Sequence, residues 1–140
     1  MKLLLAADGS TYTQKALKFI VDQKRLTSAQ SEVLVVHVQP MLPTFLGAIL
    51  SVEKTLALQE VELEKVFAPI RKFLEKNGLQ YRCVGLIGSI ANTIVATAEE
   101  EHVNLIVMGA HGRDYLSSAV MGSVAQKVVA QSTIPVLLVK

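Results

Sequence analysis

Aromatic side chains are scarce in this 140-residue chain, at 5% of residues against 51% hydrophobic overall. A core built with so few must be aliphatic, of Leu, Ile, Val and Ala. That argues against an aromatic-rich β-sandwich and for β-branched parallel strands covered by helices. Cysteine is almost missing too: Cys83 stands alone, which excludes an internal disulfide and a multi-cysteine metal site and fits a reducing cytoplasm. No charge sign dominates. Fourteen Lys and Arg against twelve Asp and Glu leave a net +2, scattered without a basic stripe, so no nucleic-acid partner is expected. No apolar run approaches the roughly 18 residues of a membrane span, so no membrane partner is expected either. The run Leu3-Leu4-Leu5-Ala6-Ala7 after Lys2 is stopped by Asp8, short of the roughly 7 to 15 apolar residues a signal sequence needs. A cytoplasmic protein of one domain, residues 1–140, is the expectation.

What is present is an alternation of strand and helix signals. Leu3 to Ala7 is a short apolar run ending in the turn Asp8-Gly9-Ser10, and Ser10 or Thr11 can cap a helix whose inner face carries Ala16, Leu17, Ile20 and Val21. Val33 to Val38 reads as a second buried strand closed by Pro40. The stretch between Pro40 and Ser51 is apolar but holds a proline and a glycine, and reads as a mobile loop. Val52 to Lys76 has the pattern of a long amphipathic helix with Gly78 as its C-cap signal, and Pro69 inside it predicts a kink or break. Gln80 to Ile87, Leu105 to Met108 and Pro135 to Val139 are the remaining strands, with helices over Ser89 to Glu101 and Gly122 to Gln131. This alternation predicts an α/β fold: one open five-stranded parallel sheet with helices on both faces. If the first three strands build outward on one side and the fourth starts on the other, the order is 3-2-1-4-5. The ligand crevice then lies between strands one and four, beyond their carboxyl ends.

Two segments flank that crevice. One is Asp8-Gly9-Ser10. The other is Met108-Gly109-Ala110-His111-Gly112, followed nine residues later by Gly122-Ser123-Val124. Glycine lets a ligand approach backbone N–H groups with no Cβ in the way. A helix beginning at Gly122 adds unpaired N–H donors and a partial positive charge. Strand, glycine loop and helix start together make a site for phosphate oxygens. The loop lacks the lysine of a Walker A motif, and no Gly-x-Gly-x-x-Gly follows the first strand, so neither a P-loop enzyme nor a dinucleotide oxidoreductase is indicated.

The glycine spacing, taken with Asp8-Gly9-Ser10, His37-Val38, Gly88 and Ile134-Pro135-Val136, resembles the universal stress protein family, specifically its ATP-binding members. The resemblance covers essentially the whole chain and implies an adenine nucleotide alpha hydrolase-like fold. It implies that Asp8 and the backbone around Val38 hold adenine, that Ala6, Met108 and Gly109 line the ribose, and that Gly112, Gly122, Ser123 and Val124 hold the phosphates. ATP (or AMP or ADP), with Mg²⁺ on the phosphates, is the implied ligand, and a homodimer through the last strand, Ile134 to Val139, the implied assembly. Ile90 stands where members often have proline, and Ala6 occupies a position that can also be proline.

Plainer roles stay open beside these. Asp8 can serve its own turn, and Ser123 can be a helix cap. His111 can approach phosphate oxygens or be a solvated loop residue. His37 reads as a structural histidine, His102 as helix-end surface, and Cys83 as packing. The three histidines have no metal-ligand spacing. Arg113 is the loop's one cation, with His111 and Asp114 the only groups near enough to position a water, which is thin equipment for phosphoryl transfer. The expectation is an ATP-binding stress-response protein acting by nucleotide-dependent conformation or association, with any hydrolysis slow. A dimeric partner protein that binds no nucleotide, a weak ATPase and a nucleotidyltransferase-like enzyme are the alternatives.

Overall fold

The structure is a computed structural model that describes residues 1–23, 26–27, 30–112 and 121–140, with only the backbone described at 44, 46 and 47. Its strands are β1 (Lys2–Ala6), β2 (Glu32–Gln39), β3 (Gln80–Ile87), β4 (Leu105–Gly109) and β5 (Val136–Val139). Between them lie α1 (Thr11–Asp22), α2 (Thr44–Ile49), α3 (Val52–Lys76), α4 (Ile90–Glu100) and α5 (Ser123–Gln131). All pairings are parallel and the order is β3-β2-β1-β4-β5, the order expected from the sequence. The order reverses at β1, where Leu4 lies beside Leu34 of β2 on one side and Ile106 of β4 on the other.

Side chains alternate across the sheet and divide the core in two. Leu3, Leu5, Val33, Val35 and Val107 meet Ala16, Leu17 and Ile20 of α1 and Val66, Phe67, Ile70 and Leu74 of α3. Leu4, Leu34, Val36, Ile106 and Met108 meet Ala91, Ile94, Val95 and Ala98 of α4 and Ala125 and Val128 of α5. Each of the larger side chains contributes about 1.5–3 kcal/mol by leaving water. Cys83 is half-buried on β3, where burial pushes its thiol up, as suits a packing residue.

Three expectations are corrected. The stretch after Pro40 is not all loop: Thr44–Ile49 is helical, because Pro43 sits just before the start, where a missing N–H is harmless, and one glycine costs a short helix only about 1 kcal/mol. Of the kink or break expected at Pro69, the break is absent: α3 is one continuous helix. The carbonyl that Pro69 leaves without a donor belongs to Lys65, and both residues are exposed, so water can reach it. Finally, α5 is capped by Gly122, with Ser123 in its first turn and no side-chain cap.

Helices α3 and α4 end alike. Leu79 N–H reaches Leu74 O and Gly78 N–H reaches Glu75 O, with Gly78 at φ +67. At α4, Val103 N–H reaches Ala98 O and His102 N–H reaches Glu99 O, but the left-handed residue is His102, at φ +50. Both are Schellman ends, and only the first has glycine at the turning position. At the amino ends of the strands, Glu101 accepts from Lys2 Nζ and from Arg82, each at 2.7 Å. Arg82 first, and then Lys2, hold its carboxyl down at about 2.

Candidate functional site

A cleft of about 620 Å³ opens beyond the carboxyl ends of β1, β2 and β4, where the reversal of strand order sends successive connections to opposite faces. Ten of the twelve sequence-predicted residues line it: Ala6, Asp8, Val38, Met108, Gly109, His111, Gly112, Gly122, Ser123 and Val124. Ser10 does not; it is the N-cap of α1, its hydroxyl accepting from Thr13 N at 3.4 Å. Arg113, and Asp114 beside it, lie outside the described residues.

Asp8 does serve its own turn. Its Oδ1 accepts from Ser10 N and from Thr13 Oγ1, each at 2.9 Å, and its N–H donates to the same threonine hydroxyl at 3.1 Å. Gly9, at φ +78, makes this tight reversal possible. Those bonds fix the carboxylate and leave Oδ2 facing Gly112, where a Cβ would stand 3.0 Å from it. The aspartate's turn role therefore orients it across the cleft from the glycine loop.

The loop is held as closely. At Gly109 a Cβ would lie 2.5 Å from Tyr12 Cβ and 2.9 Å from His111 O, so only glycine fits between β4 and α1. Gly122 N–H donates to Ala110 O at 2.8 Å, which docks the start of α5 on the loop. The N–H groups of Ser123, Val124 and Ala125, in the first turn of α5, have no acceptor among the described residues, and all three residues line the cleft. This corner can hold an anion by several backbone donors and the helix dipole together. Among the described residues, no cluster of three or more His, Cys, Asp or Glu is placed to hold a metal ion.

The histidines separate by role. His37 is 7% exposed; its Nδ1–H donates to Ala7 O at 2.7 Å and its ring meets Phe67 edge-on at 6.3 Å. It is structural, as expected, although it also forms part of the cleft wall. His111 is partly buried and packs edge-on against Tyr12 at 5.0 Å, which replaces the reading of a solvated loop residue. His102 is exposed at the end of α4.

Several lining residues carry no signal in the sequence. Thr13 braces Asp8. Gln39, at the end of β2, donates from Nε2 to Gln59 O at 3.3 Å and ties the strand to α3, which brings Glu62 into the wall. Ile90, Ile94 and Met121 make the opposite wall apolar. A helical glutamate or isoleucine reaches a cleft only through the register of its helix over the sheet, which local periodicity does not specify.

Comparison with known proteins places this geometry. The model of the universal stress protein family matches residues 1–140. Universal stress protein MJ0531 of Methanocaldococcus jannaschii is 32% identical over 140 residues, spanning 99% of this chain and 81% of the relative. The solved structure of MJ0577 from the same organism superposes with a TM-score of 0.82 at 31% identity, covering 99% of this chain and 94% of that one. A universal stress protein of Archaeoglobus fulgidus, solved in complex with dAMP, shares the fold at a TM-score of 0.72 and 24% identity, covering 100% and 98% of the two chains. With a whole-length family match and relatives above 30% identity, this chain belongs to the universal stress protein family.

Proposed function

We propose that the cleft binds an adenine nucleotide, ATP in preference, and that the protein acts through nucleotide-dependent conformation or association rather than through turnover. The observation that carries this reading is the first turn of α5. Its N–H groups at Ser123, Val124 and Ala125, which have no acceptor among the described residues, belong to residues that line the cleft, as does Gly109, where no side chain fits. Phosphates belong there, on Gly112, Gly122, Ser123 and Val124. The base belongs at the other end, between the oriented Asp8 carboxylate and the backbone at Val38, with Ala6, Met108 and Gly109 along the ribose. Mg²⁺ enters with the phosphates, since the described side chains build no metal site of their own. Proteins of this fold hold dAMP in Archaeoglobus fulgidus and AMP in Arabidopsis thaliana; that likeness supports the ligand class, while the roles assigned above rest on this chain's own cleft.

Phosphoryl transfer needs cations placed on the moving charge and a group that orients the nucleophile. His111 is engaged with Tyr12, and the described lining offers no lysine or arginine. Hydrolysis is accordingly slow, below the median enzyme rate of about 10 s⁻¹. The copy-to-copy contact is assigned to β5, a half-buried apolar edge strand, which pairs with its own copy across a two-fold axis. No helix among the described residues is long and apolar enough to cross a membrane.

Calorimetric titration of the wild type and Gly122→Val with MgATP tests the site. A Cβ at Gly122 meets only ordinary contacts, 3.4 Å from Ala110 O and His111 Cα, so the fold survives, while the branched methyls crowd the approach to the helix start. Binding by the wild type and none by the variant, with equal melting temperatures, is expected. Equal affinities would sink the site, and brisk phosphate release lost in His111→Ala would overturn the non-enzymatic reading.

A further inference from the structure

Helix α3 carries five glutamates, and four of them, Glu53, Glu60, Glu64 and Glu75, are exposed. Glu62 is different: its side chain is 33% exposed and the residue lines the cleft. Its place on the helix is the reason. The buried face of α3 runs through Val66, Ile70 and Leu74 at a spacing of four, and Glu62 is the next residue of that stripe toward the amino end. Were the core to continue, an apolar side chain would stand there. Instead the core stops at Val66, and the turn above it borders the cleft. The bond from Gln39 Nε2 to Gln59 O holds the end of β2 against the same side of α3, one turn before Glu62. Lys65 lies 3.8 Å from Glu62 Oε2 but is itself 68% exposed, a loose pair of little energetic weight.

The main chain of β2 sets what this carboxylate can meet. Gln39 O turns toward β3, accepting from Gly88 N at 2.9 Å, and Val36 O turns toward β1, accepting from Ala7 N at 2.8 Å. Peptide groups alternate sides along a strand, so the N–H and C=O of Val38 turn the same way as those of Val36. The β1 ladder has ended by then, at Ala6, which leaves the Val38 pair facing the cleft that Val38 lines. Along the chain the N–H comes first and the C=O lies nearer Gln39. A 6-aminopurine meets such a pair through N1, which accepts, and its amino group, which donates one hydrogen. The second amino hydrogen then lies at the Gln39 end and needs an acceptor of its own. Glu62 is the acceptor that α3 places on that side. An oxygen at the purine 6-position would instead face two acceptors, the Val38 carbonyl and the carboxylate.

We propose that Glu62 selects the base by accepting the second hydrogen of a purine 6-amino group, an inference that rests on the assignment of the cleft to an adenine nucleotide. A hydrogen bond to a charged acceptor is worth roughly 10–100-fold in affinity, and a carboxylate one-third exposed belongs at the lower end. Calorimetric titration of the full chain with AMP and with purine riboside 5′-monophosphate, which carries hydrogen in place of the amino group, tests it. The wild type should favour AMP. Glu62→Ala should reduce that preference by about tenfold, and Glu62→Gln, whose amide oxygen still accepts, should keep part of it. Because the two ligands share ribose and phosphate, the effects of a lost negative charge or a looser helix cancel in their ratio. IMP, with an oxygen at the 6-position, should bind the wild type more weakly than AMP and gain on AMP in Glu62→Ala. An AMP preference that survives Glu62→Ala unchanged overturns the inference and leaves the nucleotide cleft standing. Loss of both ligands alike in Glu62→Ala and Glu62→Gln would assign Glu62 to the shape of the cleft, against the inference. A wild type that binds neither ligand overturns the inference and the nucleotide cleft together.

Discussion

Gly109→Ala isolates the packing on which the cleft depends. Gly109 ends β4 beside Val139 of β5, and the added methyl would stand 2.5 Å from Tyr12 Cβ and 2.9 Å from the His111 carbonyl. Neither neighbour is the tip of a flexible side chain. One is a first side-chain atom on α1 and the other is backbone, so relief requires moving α1 or the loop. Overpacking of this kind costs about 1–3 kcal/mol, offset by about 0.4–1 kcal/mol because alanine restricts the unfolded chain. At mid-range the net loss is about 1–2 kcal/mol, which should lower the melting temperature by roughly 3–8 °C for a domain of this size. The same displacement disturbs the His111 carbonyl and with it the loop that faces Asp8 at Gly112, so nucleotide affinity should fall along with stability. Gly78→Ala is the matched control. At φ +67 with nothing within 4 Å, alanine there is strained by about 1–2 kcal/mol through its backbone alone, far from the cleft. Differential scanning fluorimetry and calorimetric titration of both variants decide the matter. Comparable melting losses with affinity reduced only in Gly109→Ala would support the reasoning. A Gly109→Ala protein that melts and binds like the wild type would refute it, and equal affinity losses in the two variants would trace the effect to global destabilisation.

Two further predictions concern regions away from the cleft. His102→Gly should stabilise the protein by about 0.5–1 kcal/mol, read as a higher midpoint in urea, because it gives the α4 end the glycine that the matching α3 end already has. Glu101 is held at about 2 by Arg82 and Lys2 against an ordinary 4.5, so its contribution is present above pH 4.5 and is lost as pH falls toward 2; melting curves of wild type and Glu101→Gln should converge over that interval, and a constant difference across it would refute the assignment.

The order of elements was legible because β1, β2, β4 and β5 are largely short apolar runs, and each of the longer helices carries an apolar face at helical spacing, as in Ala16, Leu17 and Ile20. Strand order followed from one reversal, and the reversal brought Asp8 and Gly109 to the same crevice. What escaped the sequence depends on distances between elements. Helix α2 was hidden because a proline and a glycine read as loop punctuation, although Pro43 precedes the helix and Gly47 only weakens it. The continuity of α3 at Pro69 depends on which way the Lys65 carbonyl faces, a property of packing rather than of residue type. His111 was ambiguous because its partner, Tyr12, lies on another element and meets it only because Gly109 has no side chain. Glu62 and Gln39 enter the wall through the height of α3 over the sheet, and that same height explains the exposed amino end of the helix. A helix of 25 residues spans about 37 Å, whereas the eight residues of β3 reach only about 27 Å. One end must therefore overhang. Leu74 fixes the lower end in the core and the Gly78 turn returns the chain directly into β3, so the excess falls at the amino end, beside the cleft. The mismatch in length thus accounts both for a glutamate from the middle of a helix in the cleft wall and for the exposure of Val52 and Leu56 above it.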